Sequence, residues 1–294
     1  MIERFFNTIF EANCIELMKA IPSKSIDLIL CDLPYGTTRN KWDSIIPLDK
    51  LWIEYDRIIK DKGVIALTSQ GLFTAKLILS NERLFRYKIV WHKSKPTNFL
   101  NAKKQPLRKH EDICIFYKRQ PIYNPQMQNS SPYNKGYRKD QLTGSYGDFK
   151  PVEVKSNGER YPTDVVYFKT AESEGDVYHP TQKPIKLGRY LVKTFTTPKS
   201  VVLDNAFGSG SFLIAAALEG RYFIGIEKNE EVHLFKKTNI DYIKTSRDRI
   251  WKYLSEVQID IEKGYDLLIS NKSDIKIVRK KEIDTFINEL AICV

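Results

Sequence analysis

Two short runs carry residue types that can do chemistry together. The first is Asp32-Leu33-Pro34-Tyr35-Gly36, directly after the apolar run Ile26 to Cys31. A carboxylate, a main-chain carbonyl and an aromatic ring on one turn suit an aromatic amine as substrate. The lone pair of such an amine is delocalised into its ring. Acceptors around its hydrogens, Asp32 and the Leu33 carbonyl, would draw the nitrogen towards tetrahedral geometry and expose that pair. Pro34 stiffens the turn and removes a competing donor, while Tyr35 offers a ring on which a base can stack. Attack on an electrophilic carbon would then need no strong general base, and catalysis would be largely positioning. The second run, Asp204-Asn205-Ala206-Phe207-Gly208-Ser209-Gly210, follows Val201-Val202-Leu203 and opens an Ala-rich stretch. Its glycines allow a sharp turn and close approach of a ligand to the main chain. A helix starting there presents free N–H groups. Glu227 lies 23 residues after Asp204, at the end of the next apolar run, where an acid can hydrogen-bond both hydroxyls of a ribose. The pattern is not G-x-G-x-x-G, so a nucleoside with a short tail fits better than a dinucleotide. Taken singly, an ordinary proline turn and a tight strand–helix turn remain open explanations.

The elements around these runs alternate. Ile9 to about Asn13 reads as an edge-like strand and Ile15 to Ala20 as a helix ended by Pro22-Ser23. Ile26 to Cys31 has the nearly continuous apolar, β-branched character of a central parallel strand covered on both faces. Pro47 to Ile59 shows a helical apolar face, with Gly63 as a C-cap candidate. Val64 to Thr68, Tyr87 to Trp91 and Ile113 to Tyr117 read as strands, and Phe73 to Leu79 as a helix. From about Lys118 to Val177 the chain is rich in Pro, Tyr, Asn, Gly, Ser and Lys, with no sustained apolar period. Regular alternation then resumes: helix Pro184 to Thr196, strand Val201 to Leu203, helix Gly210 to Leu218, strand Tyr222 to Ile226, and a long charged helix from Glu230 to about Leu254. The expected fold is α/β, a doubly wound, mostly parallel sheet with an insertion.

In this order the motifs resemble those of the DNA amino-methyltransferases that act on adenine N6 or cytosine N4. That family's catalytic motif is [D/N/S]-P-P-[Y/F/W] and its cofactor motif F-x-G-x-G, matched here by Asp32-Leu33-Pro34-Tyr35 and Phe207-Gly208-Ser209-Gly210. The catalytic motif comes first, as in the family's β class. His179-Pro180-Thr181-Gln182-Lys183-Pro184 matches a β-class run that precedes a helix helping to bind the methionine end of the cofactor. Asn13-Cys14-Ile15-Glu16-Leu17 stands where the family commonly has G-D-C-x-E. Trp91-His92-Lys93 and His110-Glu111 are weaker echoes, and the resemblance covers roughly residues 9 to 240. It implies a Rossmann-like fold dependent on S-adenosylmethionine, with a target-recognition region inserted. Asp32, Leu33, Pro34 and Tyr35 would be catalytic. Asn13, Asp32, His179, Thr181, Lys183, Asp204, Phe207, Gly208, Ser209, Gly210 and Glu227 would hold the cofactor. Two departures stand out. Leu33 replaces the usual first proline but keeps the carbonyl, and Ala12-Asn13 replaces the usual Gly-Asp.

The organisation implied is a catalytic half over 1–117, a loop-rich target-recognition insertion over 118–178, a cofactor-binding half over 179–254 and a C-terminal appendage over 255–294. A formal net charge of +11 suits a polyanion, nucleic acid before an anionic membrane. Arg86 to His110 holds eight Lys or Arg and no acid, and is expected as a basic loop between strands. Lys93, Lys95, Lys103, Lys104 and Arg108 from this stretch, with Arg138 and Lys139 from the aromatic-rich insertion, are the expected DNA contacts. Cys14, Cys31, Cys114 and Cys293 are widely spaced, so neither a metal site nor a disulfide framework is expected. His92, His110 and His233 lack metal-ligand spacing. There is no signal-peptide pattern, and no apolar run nears the ~18 residues that span a bilayer. The expectation is a cytoplasmic enzyme. Double-stranded DNA is its expected partner; a homodimer and a cognate restriction endonuclease are family-level expectations. Asp32 favours adenine N6 as the target, with cytosine N4 as the alternative and a non-catalytic DNA-binding module as the non-enzymatic reading.

Overall fold

The computed structural model describes residues 2–37, 43–137, 152–229, 233–235, 238–256 and 268–291. The chain divides into two compact units, Pro125–Thr163 and everything else. In chain order the larger unit begins with β1 (Thr8–Glu11), α1 (Cys14–Met18), β2 (Ile26–Cys31), α2 (Leu48–Ile58), β3 (Ile59–Ser69), α3 (Leu72–Ser80), β4 (Phe85–Thr97) and β5 (Arg108–Phe116). The smaller unit holds β6 (Gln128–Asn129), β7 (Tyr133–Tyr137), β8 (Glu153–Ser156) and β9 (Glu159–Arg160), paired as β6 with β9 and β7 with β8. The larger unit resumes with β10 (Val165–Phe168), α4 (Ile185–Phe195), β11 (Val201–Asp204), α5 (Ser211–Leu218) and β12 (Tyr222–Glu227). It ends with β13 (His233–Phe235), β14 (Thr238–Ile240), α6 (Tyr242–Glu256), β15 (Lys276–Val278) and α7 (Ile283–Ala291).

Nine strands form one sheet in the order β10-β4-β5-β3-β2-β11-β12-β1-β15. Only β5 pairs antiparallel with its neighbours there, so the sheet is mostly parallel, as expected. Alternation along β2 shows how the sequence builds two layers. Ile29 and Cys31 pack with Leu17, Tyr55, Phe73 and Leu77 from α1, α2 and α3. Leu28 and Leu30 pack with Leu191, Leu213 and Ile250 from α4, α5 and α6. A strand covered on both faces is apolar at nearly every position, which is why Ile26 to Cys31 reads as it does; the exception, Asp27, is half-buried and accepts from the Val201 amide and from Lys60. From β2 the chain winds to β3 on one side, while β11 lies on the other and leads on to β12. The β2–β11 seam is therefore the topological switch point, where open α/β sheets place their ligands beyond the strand ends.

Several expectations change. β1 is not an edge strand, because β15 pairs parallel with it on the outer side. The C-terminal segment is thus part of the sheet, and Phe286 of α7 packs edge-on against Phe5 and Phe10. Gly63 caps no helix, since α2 runs directly into β3, which contains it. The helix expected from Glu230 starts at Tyr242 instead. β13 and β14 pair antiparallel before it, and Asp241 Oδ1 accepts from the Ile243 amide at 3.0 Å, an N-terminal cap that fixes the start. The stretch 118–178 also divides, because β10 joins the large sheet beside β4. The basic stretch 86–110 is mostly strand, with a turn only over 98–107. Cys14, Cys31 and Cys114 are buried and free, while Cys293 lies outside the described residues. No helix among the described residues is long and apolar enough to cross a membrane.

Candidate active site

A cavity of about 630 Å³ opens at the C-terminal ends of the parallel strands and is lined by both motif runs. Asp32 reaches it from β2 and Asp204 from β11, across the switch point. Glu227 ends β12, and Asn13 follows β1.

The catalytic turn sits in a polar network. Tyr35 Oη lies 2.9 Å from Asp32 Oδ1, 3.0 Å from Thr68 Oγ1 and 3.3 Å from Glu111 Oε2. Thr68 also donates to Asp32 Oδ1 through a short hydrogen bond. Lys183 Nζ lies 2.6 Å from Asp32 Oδ2 and 3.2 Å from Glu111 Oε2, and Lys93 Nζ 3.1 Å from Glu111 Oε1. Two carboxylates thus alternate with two ammonium groups. Burial works to raise Glu111, but Lys183 and Lys93 outweigh it and hold its carboxyl below the ordinary value. Burial works to lower Lys183, but Asp32 and Glu111 outweigh it and keep the ammonium charged. Burial, with the charges of Asp32 and Glu111, drives the Tyr35 phenol well above its ordinary value, so it stays a neutral donor. The Tyr35 ring stacks on Phe73, with centroids 5.1 Å apart. Among the described residues no donor is bonded to the Leu33 carbonyl.

The glycine turn is equally constrained. Gly208 (φ 51°) and Gly210 (φ 80°) occupy the left-handed region, where a side chain is strained. A Cβ on Gly210 would also come within 2.8 Å of Ser246. Glu227 Oε2 accepts from the Gly208 amide at 2.9 Å, and Oε1 from the Lys228 amide at 2.9 Å. Ser209 Oγ donates to Gln182 Oε1 at 3.0 Å, which ties the turn to the run His179 to Pro184. His179 Nδ1 lies 3.0 Å from Thr181 Oγ1, and its ring packs against Tyr242. Phe207 is buried and packs beneath Gly225, where a Cβ would meet it at 3.0 Å. Asp204 is 2% exposed, and burial pushes its carboxyl up to about 8, with the Asp32 and Glu227 charges acting in the same direction. Asn13 Oδ1 caps α1 by accepting from Ile15 at 2.9 Å, so only its amide N–H groups remain for a ligand.

Every residue expected at the catalytic turn and cofactor site therefore lines this cavity, except Gly210, which shapes the turn from behind. The basic residues divide. Lys95, Lys103, Lys104 and Arg108 are exposed, and Arg108 also lines the cavity. Lys93 is 3% exposed and paired with Glu111, so it does not present a phosphate-binding surface. Arg138 and Lys139 lie outside the described residues. Sequence reasoning gave Glu111 only as an echo and missed Thr68, Asn205 and Ser211. Sheet register places the first two. Cys31 pairs with Leu67, and Ser69 with Asp112, which brings Thr68 and Glu111 beside Asp32. Asn205 Oδ1 accepts from Tyr55 Oη at 2.5 Å.

Comparison with known proteins agrees with this geometry. The N6/N4 DNA methylase family model matches residues 26–237. The type II methyltransferase M.HinfI of Haemophilus influenzae is 27% identical over 266 residues, covering 78% of this chain and 67% of the relative. The DNA adenine methyltransferase YhdJ of Escherichia coli K12 is 28% identical, covering 76% and 79%. Among solved structures, the M1.HpyAVI–SAM complex superposes with a TM-score of 0.56 at 20% identity, covering 83% of this chain and 98% of that one. The cytosine-N4-specific PvuII DNA methyltransferase superposes at 0.53 with 12% identity, covering 97% and 94%. The match across the catalytic turn, the glycine turn and the strands between them means that this chain belongs to the N6/N4 DNA methylase family.

Proposed function

We propose that the protein methylates the exocyclic N6 of adenine in double-stranded DNA, acting on a base flipped out of the helix. The observation that carries methyl transfer to an exocyclic amine is the Asp32 carboxylate beside Tyr35 at the cavity wall, with a Leu33 carbonyl to which no donor among the described residues is bonded; the acid at position 32 is the reason for choosing adenine. S-adenosylmethionine is the cofactor and supplies an electrophilic methyl group on a sulfonium. The cavity fits such a group. Among the described residues, Asn205 Nδ2 and Ser211 Oγ are buried at its wall without a hydrogen-bond partner, which is costly unless a ligand supplies one. Asn13, His179, Thr181, Asp204, Phe207, Ser209 and Glu227 would hold it, on a glycine turn that no Cβ obstructs.

Exposed lysines and arginines bind the DNA backbone. Flipping costs a few kcal/mol, and the flipped base lies against Tyr35, itself backed by Phe73. Asp32 and the Leu33 carbonyl accept from the two amino hydrogens and localise the nitrogen lone pair. Because Asp32 Oδ2 is held by Lys183, the amine must share or replace that ammonium. Lys183 and Glu111 position the carboxylate rather than touch the methyl group. The network holds the turn in place, so the reaction gains chiefly from alignment. Cytosine N4 offers the same geometry and is the alternative target. A homodimer and a cognate restriction endonuclease belong to this reading as partners, and a cytoplasmic location as its setting.

Asp32→Ala tests the site. It is expected to abolish methyl transfer to plasmid DNA while equilibrium dialysis still finds labelled S-adenosylmethionine bound. Substantial turnover by that variant would sink the assignment.

A further inference from the structure

The turn between β4 and β5 holds three large apolar side chains in water, of which Leu107 at 40% is the least exposed. Phe99 is 76% exposed and Leu100 84%. The turn is held by its own bonds. Asn98 takes a left-handed φ of 70°, and Asn101 Nδ2 donates to Asn98 Oδ1 at 2.7 Å. The Lys104 and Gln105 amides both donate to the Asn101 carbonyl, at 2.8 and 3.0 Å. Exposed Lys95, Lys103, Lys104 and Arg108 flank the pair, and no acid occurs from Arg86 to His110. The root of the turn opens on the active site, because Thr97, Asn98 and Arg108 line the same cavity as Asp32 and Tyr35.

We propose that Phe99 and Leu100 are a wedge that enters the DNA duplex beside the target base and fills the gap left when that base flips. This rests on the reading of the cavity as a base-methylating site. An apolar tip ringed by cations complements a base stack ringed by phosphates, and phenyl and leucyl side chains are suited to separating base steps. The root of the turn lines the cavity that would receive the flipped base, so the tip projects from the rim beside which the gap forms. A held turn also presents the wedge already ordered, so little side-chain freedom is lost on binding. The wedge touches neither the methyl group nor the amine; it is a positioning device that lowers the cost of the flipped state.

The test uses the full chain and duplexes carrying the sequence that the enzyme modifies in plasmid DNA. One duplex is intact, and its twin has an abasic site opposite the target base, so that the target is already unpaired. The double variant F99A/L100A is expected to lose about 30-fold in kcat/KM on the intact duplex and less than about threefold on the abasic one. 2-Aminopurine at the target position should lose its flipping fluorescence on the intact duplex only. Leu79→Ala, which truncates a 67% exposed leucine on α3, should match the wild type. An equal loss on both duplexes, or none on the intact one, overturns the wedge. Wild-type turnover on the intact duplex reports on the methylase reading; the ratio between the duplexes reports on the wedge.

Discussion

Lys183 Nζ lies 2.6 Å from Asp32 Oδ2 and 3.2 Å from Glu111 Oε2, so one buried ammonium joins the turn after β2 to the start of β5. At 6% exposure it is little screened by solvent. Its removal would leave two carboxylates meeting at the Tyr35 hydroxyl. Burial would then raise Glu111 with only Lys93 to oppose it. Lys183→Met is therefore expected to move the acid limb of the kcat profile to higher pH and to lower kcat near neutrality by about tenfold or more. Lys183→Arg, which keeps the charge, should restore most of both. A Lys183→Met enzyme with the wild-type pH profile would contradict this account of the Lys183–Glu111 pair.

Asp204 makes folding pH-dependent. Its carboxyl titrates at about 8 when folded, against 3.8 ordinarily. The folded state thus binds a proton that the unfolded chain has released, and stability falls as pH rises from about 4 to about 8 before levelling off. Glu227, also raised by burial, acts in the same sense. Asp204→Asn keeps an acceptor for the Ala206 amide but cannot ionise. Its Tm should nearly match the wild type at pH 4 and exceed it by about 5 °C at pH 8. Equal differences at both pH values, by differential scanning fluorimetry, would show that Asp204 ionises as freely as in water.

How much of this was legible in the sequence depended on the range of the interaction. Residues at strand ends, such as Asp32, Asp204 and Glu227, were found because a buried strand announces itself by an unbroken apolar run and its end is where ligands bind. The two-faced layering followed from the same runs. What could not be read was adjacency across strands distant in sequence. Thr68 and Glu111 become neighbours of Asp32 only through the register of β2, β3 and β5. Lys93 looked like one more member of a basic stretch, and only pairing with Glu111 separates it from Lys103 and Lys104. β15 pairs with β1 across most of the chain, so three residues of modest apolarity gave no sign that β1 would be internal. The hairpin of β13 and β14 is short and lies within a charged stretch, so a charged helix was an equally good local description.

Glu227 is expected to act through the glycine turn as well as through any ribose. Its two oxygens accept from the Gly208 and Lys228 amides. Glu227→Ala frees both donors and should raise the Kd for S-adenosylmethionine by roughly tenfold to a hundredfold, as loss of charge-assisted hydrogen bonds implies. DNA affinity should not change. Isothermal titration with cofactor, and anisotropy with labelled duplex, separate the two quantities; an unchanged cofactor Kd would count against the pinned turn.

The exposed bases should announce themselves through salt. Replacing Lys103 and Lys104 by Ala is expected to reduce the slope of log Kobs against log salt by about 2 for duplex DNA. Lys93→Met should leave that slope unchanged, because the buried ammonium meets Glu111 rather than a phosphate. A slope insensitive to the double substitution would move the DNA-binding surface elsewhere.

The central claim is transfer of a methyl group to an amine held by Asp32 and the Leu33 carbonyl. It is tested most directly by incubating plasmid DNA with methyl-labelled S-adenosylmethionine and the wild-type protein, digesting the product to nucleosides and locating the label. The account predicts label in N6-methyldeoxyadenosine. Label confined to N4-methyldeoxycytidine would contradict the choice of adenine, and unlabelled nucleosides would contradict the enzyme itself.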